Sequence, residues 1–361
     1  MPGLDGSLPG IIGELVRAML LGAPASTIDG APPLRATEIA APSAARGDVL
    51  VRVSVCGVCR TDLDLVEGRL SAPRYPVIPG HQVIGRVEGV GDGVTDLQEG
   101  DRVGVAWIHS ACGRCEWCRT GRENLCPWFR STGCDENGGY AEYVTVPAAF
   151  AQIIPDALSD AAAAPLLCAR AIGWRSLRLT GLVDGQPLGL TGFGASAHLV
   201  LQLARQRFPQ SAVYVFARNA RERDFARELG AAWAGDTSEP PPEPLAAIID
   251  TTPAWRPIVR ALEHLVPGGR LVINAIRKSR ADQNELLSLD YAKHLWMERE
   301  IRSVANVTRD DVREMLHAAA AMGLAASVEQ LPLAEANTAL ARLSRGEGVR
   351  GALVLRVGEG D

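Results

Sequence analysis

The sequence predicts an α/β chain of two domains, a mostly-β domain followed by a doubly wound domain built on a parallel sheet. The chain has 361 residues, 47% of them hydrophobic, which is more than a single hydrophobic core usually organises. Residues 48–146 contain short β-branched runs separated by glycine and proline, whereas the chain beyond Ser159 alternates strand-like and helix-like segments. These three observations together indicate two separate cores.

The first domain is predicted from four apolar runs that are short enough to be strands. They cover residues 49–55, 83–90, 102–106 and 141–146. The apolar stretch 10–22 near the N-terminus is interrupted by Glu14 and Arg17 and follows no basic segment, so neither a signal peptide nor a membrane span is predicted. We assign residues 1–168 to this domain.

Seven side chains of this domain have the chemistry of zinc ligands. Four cysteines share one loop with the spacing C-x2-C-x2-C-x7-C, namely Cys112, Cys115, Cys118 and Cys126. Four thiolates this close can complete a closed tetrahedral zinc shell, and in a chain of this size the spacing favours metal over disulfides. Cys59, His81 and Cys168 offer the open three-ligand shell that a catalytic zinc needs. One closed and one open site predict an enzyme with two zinc ions.

The second domain is predicted from strands that alternate with helices, a pattern typical of a parallel sheet. Helices are expected within 161–179, which is rich in alanine and leucine, and then over 195–205 and 220–229, with strands at 187–191, 212–216, 246–250, 270–274 and 302–305. The run 239–244, nearly all proline and glutamate, predicts an exposed loop. We assign residues 169–303 to this domain. Residues 304–361, with a helix over 310–322 and a strand over 351–357, are expected to return to the first domain.

A glycine-rich turn follows the first strand of the second domain. Gly192, Gly194 and Ala197 form the pattern G-x-G-x-x-A between a predicted strand and a predicted helix. The glycines allow a pyrophosphate to approach the backbone, and the start of the helix offers oriented N–H groups and a favourable dipole. This context predicts a dinucleotide site.

The end of the second strand favours NADP over NAD. An NAD-binding domain of this kind usually has a carboxylate there for the ribose 2′-hydroxyl, but this chain has Ala217, followed by Arg218 and Asn219. Arg218, with Arg221 and Arg223 beyond it, could bind a 2′-phosphate through charge-assisted hydrogen bonds. The alternative is NAD, bound through backbone and Asn219 contacts.

Charge and composition exclude several partners. A net charge of −5 and a pI near 5.8 disfavour nucleic acid, and arginine far outnumbers the two lysines, Lys278 and Lys293. We expect a cytoplasmic protein that acts on a small molecule, without a nucleic-acid or membrane partner.

The order of these motifs resembles that of a known family. The matching segments are Cys56-Gly57-Val58-Cys59-Arg60-Thr61-Asp62, Pro79-Gly80-His81, the four-cysteine loop, Pro165-Leu166-Leu167-Cys168 and the glycine turn. From about residue 18 to residue 357 the chain resembles the zinc-dependent medium-chain dehydrogenases, in the alcohol dehydrogenase branch. The resemblance implies a GroES-like catalytic domain, a Rossmann domain and a homodimer or homotetramer.

The resemblance also implies roles for individual residues. The catalytic zinc would be bound by Cys59, not Cys56, together with His81 and Cys168. Asp62 would orient His81 and raise its basicity. Thr61 would accept the proton of the alcohol, and Arg60 would contact the cofactor. Trp107 and Ile108 resemble residues that line the substrate cleft, which predicts an apolar pocket for medium-sized or aromatic alcohols, with ordinary core packing as the alternative.

Two positions depart from the family pattern. Gln82 stands where the family has a glutamate after the ligand histidine, so a role for that carboxylate in ligand exchange is in doubt. Asp64 stands where many relatives place the outer histidine of a proton relay. The relay is therefore expected to end at water or at a carboxylate.

The predicted function is interconversion of a primary or secondary alcohol with its aldehyde or ketone by hydride transfer to or from a nicotinamide cofactor. A zinc polyol or sugar dehydrogenase is the enzymatic alternative, against which the apolar Trp107 argues. A non-catalytic zinc and nucleotide sensor is a further alternative, but it needs no proton acceptor such as Thr61 beside an open metal shell. A zinc-free quinone reductase would lack both ligand groups.

Overall fold

The computed structural model describes residues 13–25, 32–194, 197–323, 327–345 and 351–358. The chain divides into two compact units. One comprises the chain up to Cys168 together with the chain from Val307 onward, and the other is Ala169–Asn306. No helix within the described ranges has the length and apolar character needed to cross a bilayer.

Seventeen strands and nine α-helices make up the two units over the described residues. The strands are β1 Leu15–Leu21, β2 Leu34–Ala40, β3 Asp48–Val58, β4 Val83–Val90, β5 Arg102–Val105, β6 Ile108–Ser110, β7 Arg130–Ser131, β8 Tyr143–Pro147, β9 Ala151–Ile153, β10 Leu188–Thr191, β11 Val213–Phe216, β12 Trp233–Gly235, β13 Leu245–Asp250, β14 Leu265–Ile273, β15 Glu300–Ser303, β16 Val328–Pro332 and β17 Ala352–Arg356. The helices are α1 Arg60–Val66, α2 Glu116–Arg119, α3 Asp160–Ala163, α4 Ala169–Thr180, α5 Ala197–Arg207, α6 Ala220–Glu228, α7 Arg256–Leu262, α8 Arg309–Ala321 and α9 Ala336–Arg345.

The first unit is built on a seven-stranded sheet with the order β16-β17-β3-β4-β5-β9, in which β8 also pairs with β3. Except for the parallel pair of β16 and β17, neighbouring strands are antiparallel. Valines such as Val49, Val51 and Val53 alternate inward along β3 and are almost fully buried. This sheet confirms the predicted mostly-β, GroES-like domain.

The second unit is a six-stranded parallel sheet with the order β12-β11-β10-β13-β14-β15. Strands β10 and β11 are buried along their whole length, as expected when helices cover both faces of a sheet. The strand order reverses between β10 and β13, which makes the carboxyl ends of these strands the switch point where ligands of such folds bind. The predicted doubly wound Rossmann domain is confirmed.

The helical region predicted over 161–179 is interrupted at a residue that matters for the site. It consists of α3, a 3-10 turn over Ala164–Leu167 and then α4. Cys168 lies at the break with φ −123° and ψ −82°, outside helical geometry. The break orients its side chain independently of α4.

Strand β14 begins five residues before its predicted start. The strand runs through Pro267-Gly268-Gly269, residue types that are uncommon inside strands. The pairing with β13 jumps there, because Leu265 lies opposite Leu245 and Arg270 lies opposite Ala247. The extra residues form an irregularity in the ladder, which accommodates a proline without breaking the strand.

Candidate functional site

Cys59, His81 and Cys168, which are distant in sequence, come together within the first unit. Cys59 is the N-cap of α1 with extended backbone geometry, and His81 follows Gly80 just before β4. Cys168 lies at the helix break described above. One ligand atom of each residue lies within 4.8 Å of the other two.

Asp62 fixes the orientation of two members of this cluster. Its Oδ2 accepts a hydrogen bond from the Cys59 N–H at 2.9 Å, and its Oδ1 lies 3.1 Å from His81 Nδ1. A carboxylate at Nδ1 favours a proton on that nitrogen, so Nε2, which lies 3.2 Å from Cys59 Sγ, is the ring nitrogen available to a metal. Asp62 therefore lies where the sequence analysis expects a residue that orients His81.

The contact between the Cys59 and Cys168 thiols shifts their pKa values in opposite directions. The hydrogen bond with Cys168 is the main cause that lowers the pKa of Cys59 well below its usual value. The same bond, followed by burial, raises the pKa of Cys168 well above its usual value. Burial opposes protonation of His81, but the charges of Cys59 and Asp62 outweigh it and raise the pKa of His81. The two thiols and the His81 ring thus influence one another's acidity, with His81 buried and both cysteines half-buried.

Close packing behind the cluster explains the glycine before His81. A Cβ atom at Gly80, where φ is +99°, would lie 2.4 Å from Tyr140 Cδ1 and 2.8 Å from Cys56 Sγ. Only glycine fits there. Cys56 is fully buried and lies outside the ligand cluster. Sequence reasoning missed Tyr140, a fully buried residue whose pKa is raised by burial and then by the charge of Asp62.

The two predicted pocket residues differ in their surroundings. Trp107 is half-buried and meets the ring of His81 edge-on, with 5.0 Å between ring centroids. Ile108 is only 1% exposed, which favours the alternative of core packing for this residue. Trp107 therefore lies beside the ligand cluster, whereas Ile108 belongs to the core of the unit.

The departures from the family pattern have specific partners. Gln82 is buried and hydrogen-bonds Cys168, which opposes the rise of the pKa of that thiol. Asp64 is buried and accepts a hydrogen bond from Arg69 Nε at 2.7 Å, with Arg60 Nε at 3.6 Å. The Asp64 carboxylate is thus held by two guanidinium groups. Arg60, a predicted cofactor contact, has an exposed side chain.

The four-cysteine loop forms a second cluster whose ligand sulfurs also lie within 4.8 Å of one another. Cys118 Sγ lies 3.5 Å from Cys115 Sγ and 3.9 Å from Cys112 Sγ. Backbone hydrogen bonds, led by that from Arg114, lower the pKa of Cys112 to about 6. Burial and the neighbouring thiols raise the pKa of Cys118 to about 12.

Both clusters fit zinc by donor type and spacing. A tetrahedral zinc with four thiolates at the usual bond length separates the sulfur atoms by about 3.8 Å, close to the distances in the loop. In the other cluster, two thiols and one imidazole nitrogen leave a fourth direction without a protein ligand among the described residues. All eight cysteines are free thiols, so no disulfide competes for these sulfurs.

The glycine turn of the second unit joins β10 to α5, as its sequence predicts. Gly192 has φ +78°, and a Cβ atom there would lie 2.8 Å from Thr252 Cγ2. Gly194 is exposed, and α5 begins at Ala197, which is fully buried. Ala195 and Ser196, the two remaining positions of the motif, lie outside the described residues. The turn stands at the switch point of the sheet.

The residues that follow β11 differ in their burial and in the hydrogen bonds that their side chains form within the protein. Ala217 is buried, and Asn219 Oδ1 caps α6 by accepting from the Arg221 N–H at 2.9 Å. Arg223 Nη1 donates to the carbonyl oxygens of Ala217 and Arg218 at 2.7 and 2.9 Å. Arg218 itself is exposed. Of Arg218, Arg221 and Arg223, it is Arg223 whose side chain thus stabilises the loop after β11.

Sequence reasoning also missed a polar contact between β10 and β13. The Thr191 hydroxyl donates to Asp250 Oδ1 at 2.5 Å, and both side chains are buried. An aspartate directly after a run of five apolar residues, at the end of a predicted parallel strand, was a signal that could have identified Asp250.

Comparison with protein families and relatives gives a consistent result. The family description "Alcohol dehydrogenase GroES-like domain" matches residues 45–156. The "Probable alcohol dehydrogenase AdhA" of Mycobacterium tuberculosis is 45% identical over 330 residues, which is 90% of this chain and 93% of that protein. An alcohol dehydrogenase of Geobacillus stearothermophilus is 32% identical over 337 residues, covering 90% and 96% of the two chains.

Solved structures show the same likeness. A cinnamyl alcohol dehydrogenase from Sorghum bicolor superposes with a TM-score of 0.81 at 28% identity, over 95% of this chain and 98% of that one. A thermostable alcohol dehydrogenase from Pyrobaculum aerophilum with bound cobalt and zinc gives a TM-score of 0.79 at 26% identity, over 95% and 100%.

Proposed function

This chain belongs to the zinc-dependent medium-chain alcohol dehydrogenase family, and from this premise we propose how its own residues perform the oxidation of an alcohol and the reverse reduction of an aldehyde or ketone. The observation that supports the proposal is the cluster of Cys59, His81 and Cys168, in which His81 is buried and both cysteines are half-buried. Among the described residues it offers three ligands and one open direction. Zinc bound there would act as a Lewis acid on the substrate oxygen, while a nicotinamide would accept or donate the hydride.

The protein side chains have separate tasks in this proposal. Asp62 keeps the proton of His81 on Nδ1, so that Nε2 remains a ligand atom. Thr61, in the first turn of α1, accepts the hydroxyl proton of the alcohol while its own hydroxyl proton passes on along the relay toward solvent. Its N–H donates to Cys59 Sγ at 3.3 Å, so the residue lies beside the cluster. Trp107 supplies an apolar face next to His81 and favours an aromatic or medium-sized substrate.

A kinetic panel tests this function. Purified enzyme with two equivalents of zinc is assayed with benzyl alcohol, hexanol, ethanol and sorbitol, and with the matching aldehydes, in the presence of each nicotinamide cofactor. We expect the highest kcat/KM for the aromatic or medium-chain pair. A preference for sorbitol would instead support the polyol dehydrogenase alternative.

Loss of the Thr61 hydroxyl is expected to lower kcat by about 10²-fold, the effect associated with a positioned proton-transfer group. Thr61→Ala is the test variant. Thr61→Ser keeps a hydroxyl and is the matched control, for which most of the rate should remain. Zinc content should be the same in both. A Thr61→Ala enzyme with an unchanged rate at every pH would show that solvent takes the proton directly.

We further propose NADP(H) as the preferred cofactor, with Arg218 as the partner of the 2′-phosphate. Ala217 is buried and adds no carboxylate that would repel this group, and Asn219 is occupied as a helix cap. Arg218→Ala should therefore reduce kcat/KM for NADP by at least about tenfold, the scale of a lost charge-assisted contact. The rate with NAD is the internal control and should change less than about twofold. Equal losses with both cofactors would contradict the assignment.

Assembly and location complete the proposal. We propose a cytoplasmic homodimer or homotetramer, on the basis of the family and of the free thiols, which need a reducing compartment. Light scattering of the purified protein and fractionation of cells test the two statements separately.

A further inference from the structure

A buried cluster of polar side chains lies at the switch point of the second unit. Asp250, at the end of β13, is fully buried and forms an ion pair with Lys278, whose side chain is 9% exposed. The hydroxyls of Thr191 and Thr252 donate to Asp250 Oδ1 at 2.5 and 2.8 Å. Lys278 follows β14, so the carboxyl ends of three adjacent strands meet in this cluster.

Each of the three N–H donors of the Lys278 ammonium group has an acceptor. Besides Asp250, it donates to the carbonyl oxygens of Thr252 and Ala254 at 2.7 and 3.2 Å. A lysine ammonium has three donors in a compact arrangement, which a planar guanidinium cannot reproduce. Lysine is nevertheless rare here, since Lys278 and Lys293 are the only two in a chain with 37 lysines and arginines. The geometry of the site gives a physical reason for lysine at this position.

The cluster touches the glycine turn. A Cβ atom at Gly192 would lie 2.8 Å from Thr252 Cγ2 and 3.0 Å from Thr251 Oγ1, so the segment that Lys278 holds packs against that glycine. Ligands of doubly wound sheets bind outside the carboxyl ends of the strands at this switch point. The charges of Asp250 and Lys278 are thus close to the place where a dinucleotide is expected.

We propose that Lys278 is a positioning residue that neutralises Asp250 beneath the dinucleotide and holds residues 251–254 against the glycine turn, and that this pair sets the balance between binding of the oxidised and the reduced cofactor. This inference rests on the proposed function, because it requires that the second unit binds a nicotinamide dinucleotide.

The charge difference between the oxidised and the reduced cofactor predicts opposite effects for removing Lys278 and for removing the charge of Asp250. The reduced cofactor has one more negative charge than the oxidised form, because the nicotinamide ring loses its positive charge on reduction. When Lys278 is removed, the hydroxyls of Thr191 and Thr252 still donate to Asp250 and stabilise its negative charge. That unpaired charge disfavours the reduced form more. Removing the charge of Asp250 leaves Lys278 unpaired and has the opposite effect. Loosening of residues 251–254 would weaken both forms alike and leave their ratio unchanged.

The experiment measures dissociation constants for NADP⁺, NADPH, NAD⁺ and NADH by calorimetry on the full, zinc-loaded chain. The variants are Lys278→Met, Asp250→Asn and the double variant, with melting curves recorded for each. Lys293→Met is the matched control, since it removes the other lysine, which forms an exposed ion pair with Glu263. Asparagine at 250 can still accept from Thr191 and Thr252, which favours folding of that variant.

We expect Lys278→Met to raise the ratio of the reduced to the oxidised dissociation constant by about tenfold, as for a unit charge near a partly buried ligand. Asp250→Asn should lower the ratio, the double variant should return to within about threefold of wild type, and Lys293→Met should leave it unchanged. Single variants that change both constants equally, or that shift the ratio in the same direction, would overturn the proposal.

Two further outcomes keep the test decisive. If Lys278→Met does not fold, Asp250→Asn decides alone, and an unchanged ratio there contradicts the inference. A wild-type protein that binds neither nicotinamide dinucleotide overturns the proposed function together with this inference. An unchanged ratio in variants of a wild type that does bind overturns only the role of the charge pair.

Discussion

The Cys168→Ser variant is expected to lose at least roughly 10³-fold in turnover, while its melting temperature stays close to that of the wild type. The magnitude follows because a metal Lewis acid contributes several kcal/mol to charge stabilisation, and each 1.4 kcal/mol corresponds to about tenfold in rate. A serine hydroxyl is a poor substitute for a thiolate at neutral pH. The fold should tolerate the change, since Cys168 lies at the break between a 3-10 turn and α4 and its side chain is not part of either helical hydrogen-bond pattern.

Metal content gives the second measurement. Wild type should contain two zinc ions per chain, and Cys168→Ser about one. Cys134→Ala is the matched control, because Cys134 is a buried thiol outside both clusters, and it should retain two zinc ions and most of the activity. Near wild-type turnover of Cys168→Ser, or its retention of both ions, would show that Cys168 is not a ligand of the catalytic metal.

The fold class could be predicted because its determinants are local. Parallel strands buried on both faces appear in the sequence as short apolar runs, and β10 and β11 start only one residue later than the runs that predict them. The start of β14 and its pairing with β13 could not be predicted in the same detail. Proline and glycine at positions 267–269 are uncommon inside strands, and only pairing with β13 determines that the chain is already an irregular strand there.

The four-cysteine set could be proposed from its short spacing, because thiols so close together have few alternative roles. The choice of Cys59, His81 and Cys168 depended on the resemblance to a known family. The surroundings of those ligands could not be predicted. Nothing in the sequence indicates that Tyr140 packs behind Gly80, since contacts between distant loops leave no periodic signal. The pairing of Asp250 with Lys278 could not be predicted for the same reason, because the two residues are 28 positions apart, with a whole strand between them.

Asp64 shows how a residue can be noticed without its role being determined. The sequence indicates a carboxylate in place of a relay histidine. The structure surrounds that carboxylate with Arg69 and Arg60, so its charge is already paired. A proton relay that ends at Asp64 would have to compete with those two ion pairs. We therefore propose water as the end of the relay.

The Cys115→Ser variant is expected to affect stability first, with an apparent melting temperature lowered by roughly 10 °C, the shift that corresponds to losing a few kcal/mol of loop closure. The reason is the composition of the loop. Helix α2 has no buried residue, Leu125 is 41% exposed, and Trp117 stacks against the exposed Arg122. Apolar packing thus contributes little to holding residues 112–122 in place.

The far end of the loop is anchored separately, which limits the damage. Glu123 is buried and accepts hydrogen bonds from Arg309 N and Nε at 3.0 and 3.2 Å, at the start of α8. Loss of one thiolate should therefore release one zinc ion and loosen residues 112–122, while the catalytic cluster remains assembled. Differential scanning fluorimetry, zinc analysis and turnover per folded molecule measure the three effects. Cys115→Ser should show the reverse of Cys168→Ser, with reduced melting temperature and retained turnover; unchanged melting together with two bound zinc ions would contradict a structural metal in this loop.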